Sequence, residues 1–398
     1  MHKREEGQEQ GRSTVQPFDP FDPDDYLEPF TRLSKVRREC PVVRLDSGFA
    51  FVARDDDARS VLRDWPSYSS EGNFELDEDD DDPPLVTQVD PPDHSPLRRV
   101  LLGGLNPAAI ADLESFLRIT VHQLLDEVQA NRACDLMTAL AVPLPARAIA
   151  RLVGVAQEHT SAFIRWNSEI TSIAPAPFKH LDCWTRMQDL IRDMTRERRS
   201  AAQRPDDLVS RLIEADFDGK RLNDDEIRMA IFQLMIAGID STSYMIGNAV
   251  YQLLSAVGQW ERIQEDLGLI PAVIEESLRV DTPITWVMRR CTAEKRIGGQ
   301  HLDKGARVLV GLASANRDEQ RWPHSDHFDL DRADSVDHLA FGHGIHLCLG
   351  AALARAEGRV ALEALSTRMP TLKLAEGSQY EPVRKPMFRG PTRLDVVW

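Results

Sequence analysis

Apolar residues along most of the chain recur every three to four positions, which is the period of an α-helix. Between Asn223 and about Ala256 this pattern runs without a break, and an asparagine followed by two aspartates is typical of a helix N-terminus. Two short apolar runs, at residues 49–53 and 307–312, have the character of strands instead. The pattern therefore predicts a mainly α protein with a small β region.

The helix predicted from residue 223 would extend for about 50 Å, enough to cross a whole domain. Gln233, Asp240 and Asn248 interrupt its apolar face, so it is not expected to span a membrane. Residues 237–242 read Ala-Gly-Ile-Asp-Ser-Thr, which suits a helix poorly. Glycine costs about 1 kcal/mol in a helix, and short polar side chains compete for backbone hydrogen bonds. Such a stretch indicates either a functional site or a kink packed against a neighbouring helix.

The composition fits one large intracellular enzyme. The 398 residues are 42% hydrophobic and carry a net charge of −16, which argues against nucleic acid or an anionic membrane as a partner. Five scattered cysteines form no disulfide framework and suit a reducing cytoplasm, which is the expected location. Residues 1–15 are polar and charged, so we expect neither a signal peptide nor a membrane anchor there. We expect them to be a disordered tail before a single domain at residues 16–398.

Near the C-terminus, residues 341–350 read Phe-Gly-His-Gly-Ile-His-Leu-Cys-Leu-Gly and place one thiol, Cys348, among three glycines. The residues after it are apolar at helical spacing, so Cys348 is expected at a helix N-terminus. There the free N–H groups and the helix dipole lower the pKa of a thiol. Gly342, Gly344 and Gly350 remove side chains where a backbone would lie against a large ligand. A thiolate beside such a surface is what a cysteine-ligated iron porphyrin requires.

Two other interpretations of this segment are open. A lone cysteine is usually a small buried hydrophobe rather than a ligand. Alternatively, the segment offers four ligands for zinc or another non-haem metal, namely His338, His343, His346 and Cys348. These four crowd onto one segment, without the second cluster that closes a tetrahedral site, and this interpretation leaves the glycines without a purpose.

The segment resembles the haem-binding loop of the cytochromes P450, which fixes a phenylalanine, three glycines, a basic residue and a cysteine. The matching positions are Phe341, Gly342, Gly344, His346, Cys348 and Gly350. The resemblance implies the cytochrome P450 fold, with haem b between a long central helix and the cysteine loop. It also implies that Cys348 is the iron ligand.

A second motif of the family occurs upstream. Glu276 and Arg279 stand three apart and resemble its buried, structural Glu-x-x-Arg pair. Without the resemblance they would indicate an ordinary surface ion pair. The third partner of the pair is usually an arginine, and the aligned residue here is His327. We expect His327 to keep the network by donating a hydrogen bond.

The middle of the long helix resembles the oxygen-binding groove of the family. The resemblance implies that Asp240, Ser241 and Thr242 take part in dioxygen activation. Ser241 stands where threonine is usual, and it keeps the hydroxyl but lacks the methyl group that restricts χ1. We therefore expect some leakage of reducing equivalents to peroxide. The acid–hydroxyl pair argues against a peroxide-using member of the family, and against the alternative of a non-enzymatic haem-thiolate sensor or carrier.

The resemblance also assigns residues to the haem propionates and to the substrate. The propionates are expected to meet His94, Arg98, Arg289 and His346. The expected pocket, mainly apolar as ligand sites usually are, consists of Ile236, Ala237, Ile239 and Asp240, of Ile284, Thr285, Trp286 and Val287, and of Met387 and Phe388. Trp286 is expected close to the haem, where it would narrow the pocket and stack on a flat substrate. A small or medium apolar substrate is favoured, although core packing explains the same residues nearly as well.

The implied activity is a soluble bacterial-type monooxygenase that hydroxylates its substrate, or O-dealkylates or epoxidises it, with O2. Two electrons would come from a separate ferredoxin or flavodoxin with an NAD(P)H-dependent reductase, since this chain has no flavin or nucleotide motif. A basic patch for an acidic donor is expected on the cysteine side, formed by Arg98, Arg99, Arg355 and Arg359. The acidic run at residues 77–82 is usually a solvated loop, but at the substrate entrance it would steer a cation.

Overall fold

The computed structural model describes residues 18–71, 73, 82–173, 178–217 and 219–398, and most of these residues are helical. The predicted tail at residues 1–15 and most of the acidic run lie outside the described residues. The helices of the described part, in chain order, are α1 (Pro23–Tyr26), α2 (Phe30–Glu39), α3 (Asp55–Arg63), α4 (His94–Gly104), α5 (Pro107–Val128), α6 (Pro143–Val153), α7 (Thr160–Ile173), α8 (Asp182–Ser200), α9 (Leu208–Glu214), α10 (Asp224–Ser255), α11 (Gln259–Glu265), α12 (Ile270–Val280), α13 (Leu312–Ala315) and α14 (Ala351–Arg368).

The strands are short, of two to five residues each. In chain order they are β1 (Val42–Arg44), β2 (Ala50–Val52), β3 (Tyr68–Ser69), β4 (Ala133–Asp135), β5 (Asp216–Phe217), β6 (Lys220–Arg221), β7 (Val287–Cys291), β8 (Lys295–Ile297), β9 (Gln300–Leu302), β10 (Arg307–Val310), β11 (Lys373–Leu374) and β12 (Asp395–Val397). The predicted class, mainly α with a small β region, is confirmed.

The largest sheet has the strand order β1-β2-β10-β7-β3. The two strand-like runs of the sequence form β2 and β10, which pair in parallel with Val308 opposite Ala50. Next to β10, β7 runs antiparallel and places Arg289 opposite Val308. A small core covers this sheet, whereas the main core lies among the helices.

The long helix α10 occupies the middle of the main core and agrees with its predicted bounds. It begins at Asp224 because the side chain of Asn223 accepts hydrogen bonds from the N–H groups of Asp225 and Glu226, and Glu226 bonds back to the Asn223 N–H. It packs against α6, α8, α12 and α14. This arrangement places its middle between α6 and the C-terminal part of the chain.

By length and composition, α10 would suffice to cross a membrane, and the bent pair His94–Gly104 and Pro107–Asn131 is a second candidate in the described part. However, 78% of the apolar stretch of α10 is buried inside the protein. Its apolar character is therefore explained by the core that it fills.

Candidate active site

The loop that carries Cys348 turns at two glycines. Gly342 has a φ of 73° and Gly344 a φ of 74°, and both values lie in the left-handed region that glycine adopts without a steric penalty. A Cβ atom on Gly344 would also collide with the carbonyl oxygen of Leu62 in α3. Gly344 is therefore needed for the close approach of the α3 backbone, and not for the approach of a flat ligand as predicted. The N–H of Cys348 donates to the carbonyl of Phe341 at 2.9 Å, which closes the loop.

Cys348 lies at a helix N-terminus, as predicted, because α14 begins at Ala351 with Gly350 as its cap. Its side chain is accessible to solvent, yet protein atoms crowd around the sulfur. This burial raises the pKa of the thiol and outweighs the hydrogen bonds from Gly350 and Ala351. The positive charges of Arg98 and Arg355 also lower the pKa without reversing the shift. The protein alone therefore raises the pKa of this thiol, and the prediction of a lowered pKa is wrong. A metal ion, when it binds, deprotonates a coordinating thiol outright.

The zinc interpretation of this segment is wrong. No group of three or more potential metal ligands among His, Cys, Asp and Glu comes together in the described part of the chain. His338 turns to Glu275 and lies in the interior, whereas His343 contacts Arg63 at the surface. The side chains therefore diverge although they are close in the sequence.

The four residues predicted to meet the haem propionates come together from distant parts of the chain. His94 opens α4 and Arg98 follows one turn later, with its guanidinium donating to the Leu347 carbonyl at 2.5 Å. The rings of His94 and His346 lie 4.5 Å apart, edge to face. Arg289 on β7 lies close enough to His346 for its charge to lower the pKa of that ring. The result is one basic cluster beside the cysteine loop.

His94 and Arg289 are buried in this cluster, and the two histidines have unsatisfied ring nitrogens. The Nε2 atoms of His94 and His346 are buried without a hydrogen-bond partner among the described residues. Burial lowers the pKa of Arg289 to about 10, and its guanidinium donates to the Met288 carbonyl at 2.6 Å. Burial, together with Arg289 and His94, lowers the pKa of His346 to about 4. Buried donors and charges of this kind require partners, so the cluster fits the carboxylates of a haem.

Asp90 is the acid beside this cluster. Its Oδ1 lies 3.5 Å from Nε2 of His346, which is too long for a good hydrogen bond. The carboxylate instead accepts hydrogen bonds from the Ser69 hydroxyl at 2.5 Å and from the Ser70 N–H at 3.3 Å. Asp90 therefore does not satisfy the histidines.

The Glu276–Arg279 pair is buried, but its third partner is not His327. The two side chains share two hydrogen bonds of 2.8 Å, and Nε of Arg332 donates to Glu276 at 3.1 Å. His327 contributes its backbone carbonyl to Arg279, while its ring stacks on His324. The prediction for the His327 side chain is wrong, because Arg332, five residues further along the chain, takes the place beside Glu276 that His327 was expected to fill.

Around the predicted oxygen groove, α10 continues as a regular helix. Gly238 lets α6 approach, since a Cβ atom there would collide with Ile149. Ser241 donates its hydroxyl to the carbonyl of Ala237 at 2.8 Å, and Ala237 is exposed. Thr242 is buried. The glycine therefore serves helix packing, and Ala237 and Ser241 form the accessible strip.

Asp240 does not pair with Ser241. Its Oδ1 accepts a hydrogen bond from Asn167 at 3.0 Å, and its Oδ2 accepts one from Thr171 at 2.6 Å and another from Lys385, also at 2.6 Å. Asn167 and Thr171 belong to α7, and Lys385 belongs to the segment between β11 and β12. No motif in the sequence marks these three partners, because only the fold brings them to α10.

The predicted pocket residues separate into two groups. Five keep accessible surface, namely Ile236, Ala237, Ile284, Thr285 and Val287. Ile239 and Trp286 are only 1% exposed, and Met387 and Phe388 are also buried. The indole N–H of Trp286 donates to the Pro386 carbonyl at 3.2 Å, and its ring lies edge-on to Phe21 at 5.5 Å. The prediction that Trp286 narrows the pocket is wrong, because this ring fills the core behind it.

Two of the four arginines in the predicted basic patch on the cysteine side are paired with glutamates. Arg355 makes two hydrogen bonds to Glu275, at 2.6 and 2.8 Å, and Arg359 pairs with Glu114. Arg99 is exposed. Asp82, at the end of the acidic run, pairs with Lys179 and Arg228.

Comparison with known proteins agrees with this geometry. The family model described as "Cytochrome P450" matches residues 174–368. Erythromycin C-12 hydroxylase of Saccharopolyspora erythraea is 34% identical, with 85% of this chain and 87% of that protein covered. Vitamin D(3) 25-hydroxylase of Pseudonocardia autotrophica is also 34% identical, with 94% of each chain covered. A solved cytochrome P450 structure from Chondromyces apiculatus matches with a TM-score of 0.86 and 33% identity, over 95% of this chain and 97% of that one.

Proposed function

The chain belongs to the cytochrome P450 family as a bacterial haem-thiolate monooxygenase, and from its site we propose which residues perform this activity and on what kind of substrate. One observation carries the proposal. An accessible thiol, Cys348, lies beside a basic cluster in which the Nε2 atoms of His94 and His346 are buried without a hydrogen-bond partner among the described residues.

We assign the iron to Cys348 and the haem carboxylates to His94, Arg98, Arg289 and His346. When bound, the haem supplies the activation of dioxygen, which a cysteine thiolate ligand favours. Phe341, Gly342 and Gly350 shape the loop around the sulfur, with Phe341 under the guanidinium of Arg355 at 4.5 Å.

Proton delivery in this proposal belongs to Ser241 and Asp240. Ser241 lies on the accessible strip of α10, and its hydroxyl both donates and accepts. Asp240 lies one residue before it and is bonded to α7. Thr242 is buried, so we give it a smaller part than the sequence suggested.

We propose a medium-sized, mainly apolar organic substrate that is hydroxylated. The accessible pocket residues are four apolar side chains and Thr285, and none of them is ionisable. With Trp286 in the core, the pocket admits a larger molecule than the sequence suggested. Two relatives are named as hydroxylases, of erythromycin and of vitamin D(3), which favours hydroxylation over the other outcomes.

We propose a single domain at residues 16–398 in the cytoplasm, with electrons from a ferredoxin or flavodoxin and an NAD(P)H-dependent reductase. The donor would approach the cysteine side, where Leu347 beside Cys348 is exposed and Arg98, the neighbour of the exposed Arg99, donates to the Leu347 carbonyl.

The first test is spectroscopic. Reduced holoenzyme with carbon monoxide should show the long-wavelength Soret band of thiolate-ligated haem. Cys348→Ser should lose that band, whereas Cys40→Ser, at a half-buried thiol far along the chain, should keep it. A band that survives in Cys348→Ser would refute the ligand assignment.

The second test identifies the substrate class. A panel of macrolides, steroids, fatty acids and small aromatics is screened for the spin-state shift of the haem, and binders are then assayed for hydroxylated product with NADPH and a surrogate ferredoxin. Binding of charged compounds alone would contradict the apolar pocket.

A further inference from the structure

The carboxylate of Asp240 has more partners than its predicted role requires. Two of its three hydrogen bonds come from α7, through Asn167 and Thr171, and the third comes from the ammonium of Lys385 at 2.6 Å. Lys385 also donates to the Thr171 hydroxyl at 2.8 Å. The four side chains are buried and form one connected cluster.

Lys385 is itself held in place. Its ammonium lies 5.9 Å from the ring centroid of Tyr244 and 5.8 Å from that of Phe388. Cations at such distances are attracted by the electron-rich face of an aromatic ring. With two hydrogen bonds and two rings around it, the ammonium has little freedom to leave Asp240.

A buried ion pair is weak evidence for a purely structural role. Burying two charges costs desolvation, and apolar residues of similar size often stabilise a core as well or better. Asp240 also directly precedes Ser241, which lies on the accessible strip of α10. These features favour a role in the chemistry of the site.

We propose that Lys385 is the positioning residue for proton delivery: it holds the Asp240 carboxylate against α7 and away from the Ser241 hydroxyl. Asp240 then reaches the accessible strip only through a change in this cluster. The inference rests on the proposed function, and it adds to it a residue from the C-terminal part of the chain.

The test removes the positive charge and then restores it. Lys385→Met keeps most of the side-chain length, Lys385→Arg keeps the charge, and Lys304→Met is the control at an exposed lysine in the turn before β10. The holoenzymes are supplied with NADPH, O2, a surrogate ferredoxin and its reductase, with no organic compound added. NADPH oxidation and the peroxide released per NADPH are measured between pH 5 and 9.

In Lys385→Met, the Asp240 carboxylate loses the ammonium that holds it beside α7. We expect the pH profile of Lys385→Met to depart from that of wild type, because the ammonium beside the proton-delivering carboxylate is gone. The peroxide per NADPH should change in parallel. Lys385→Arg should restore the wild-type pH profile, and Lys304→Met should have the same profile as wild type.

A double variant separates positioning from packing. Lys385→Met combined with Asp240→Asn should have the pH profile of Asp240→Asn alone, because Lys385 acts through Asp240. Because the double variant leaves no unpaired buried charge, we expect it to fold even where the single lysine variant does not. Equal profiles for Lys385→Met and Lys304→Met, additive effects in the double variant, or failure of arginine to restore the profile would each overturn the proposal. The carbon monoxide spectrum of every variant is recorded first, so that a failure of haem-thiolate ligation is recognised separately.

Discussion

At the scale of single residues, the hydroxyl of Ser241 is the part of the site whose geometry most directly controls coupling. It donates to the Ala237 carbonyl one turn earlier, a local bond that serine and threonine both make inside helices. Threonine differs by a methyl group, which leaves fewer χ1 rotamers within a helix. A serine hydroxyl at this position is therefore less firmly placed toward the accessible strip of α10.

Replacing Ser241 by threonine should consequently improve coupling. We expect more product and less peroxide per NADPH from Ser241→Thr, with about a twofold change because restricting one rotamer is a modest effect. Ser115→Thr is the matched control, since Ser115 makes the same bond to the Ala111 carbonyl on α5. Equal coupling in wild type and Ser241→Thr would show that rotamer freedom at this residue does not matter.

Single residues also show where sequence reasoning stops. Cys348 and Glu276 are recognisable because their neighbours in the sequence form a motif. Arg332 escapes recognition because it lies five residues beyond the aligned His327, although an arginine in that segment is the signal to look for. For Trp286 the register is predictable but the direction is not, since a side chain's direction depends on partners such as Phe21 that are far away in the sequence.

At the scale of elements, α10 is predictable almost to the residue, whereas its contacts are not. Its cap at Asn223 and its apolar period are local features of the sequence. In the sequence, Gly238 is a residue that destabilises a helix. In the structure, its missing side chain allows Ile149 of α6 to pack closely against α10. Such a role is invisible in the sequence, because it requires knowing which helix lies alongside.

The helices α12 and α14 are joined by an ion pair that should make the stability depend on pH. Burial raises the pKa of Glu275, but hydrogen bonds and charge from Arg355 and His338 overcome this and hold it at about 2. A carboxyl whose pKa is lowered by folding stabilises the protein above its unfolded pKa of 4.5. This contribution is lost as the pH falls from about 4.5 toward 2.

The matching experiment is urea unfolding of wild type and Glu275→Gln across that pH window. Wild type should lose about 1–3 kcal/mol more than the variant between pH 5 and 2, the lower values reflecting the partial exposure of Arg355. Glu261→Gln, at an exposed site on α11, should follow wild type. Parallel curves for wild type and Glu275→Gln would mean that the pair does not stabilise the contact between α12 and α14.

At the scale of the whole molecule, the site is assembled from segments that are far apart in the sequence. His94 on α4, Arg289 on β7 and Cys348 before α14 meet around one basic cluster. These three residues are predictable from the sequence because they occur in the same order as the motifs of the family. The partners of Asp240 show the opposite case, since α7 and the C-terminal segment reach α10 through tertiary packing alone.

The charge of the whole molecule bears on how an electron donor approaches the cysteine side. The chain carries a net charge of −16, which repels an acidic protein at long range. On the cysteine side, Arg355 and Arg359 are paired with Glu275 and Glu114, so that Arg99 is the exposed arginine of the predicted patch. Attraction of an acidic donor should therefore be local and weaker than four arginines would provide.

Electron transfer from an acidic ferredoxin should accordingly slow with rising salt, but only modestly. We expect a two- to threefold fall between about 0.01 and 0.15 M ionic strength, over which the screening length shortens from about 30 to 8 Å. Arg99→Gln should flatten this dependence, and Lys304→Gln, with the same change in net charge, should not. A rate that rises with salt would mean that the repulsion from the acidic molecule as a whole dominates, and the donor would then have to dock without help from the basic patch.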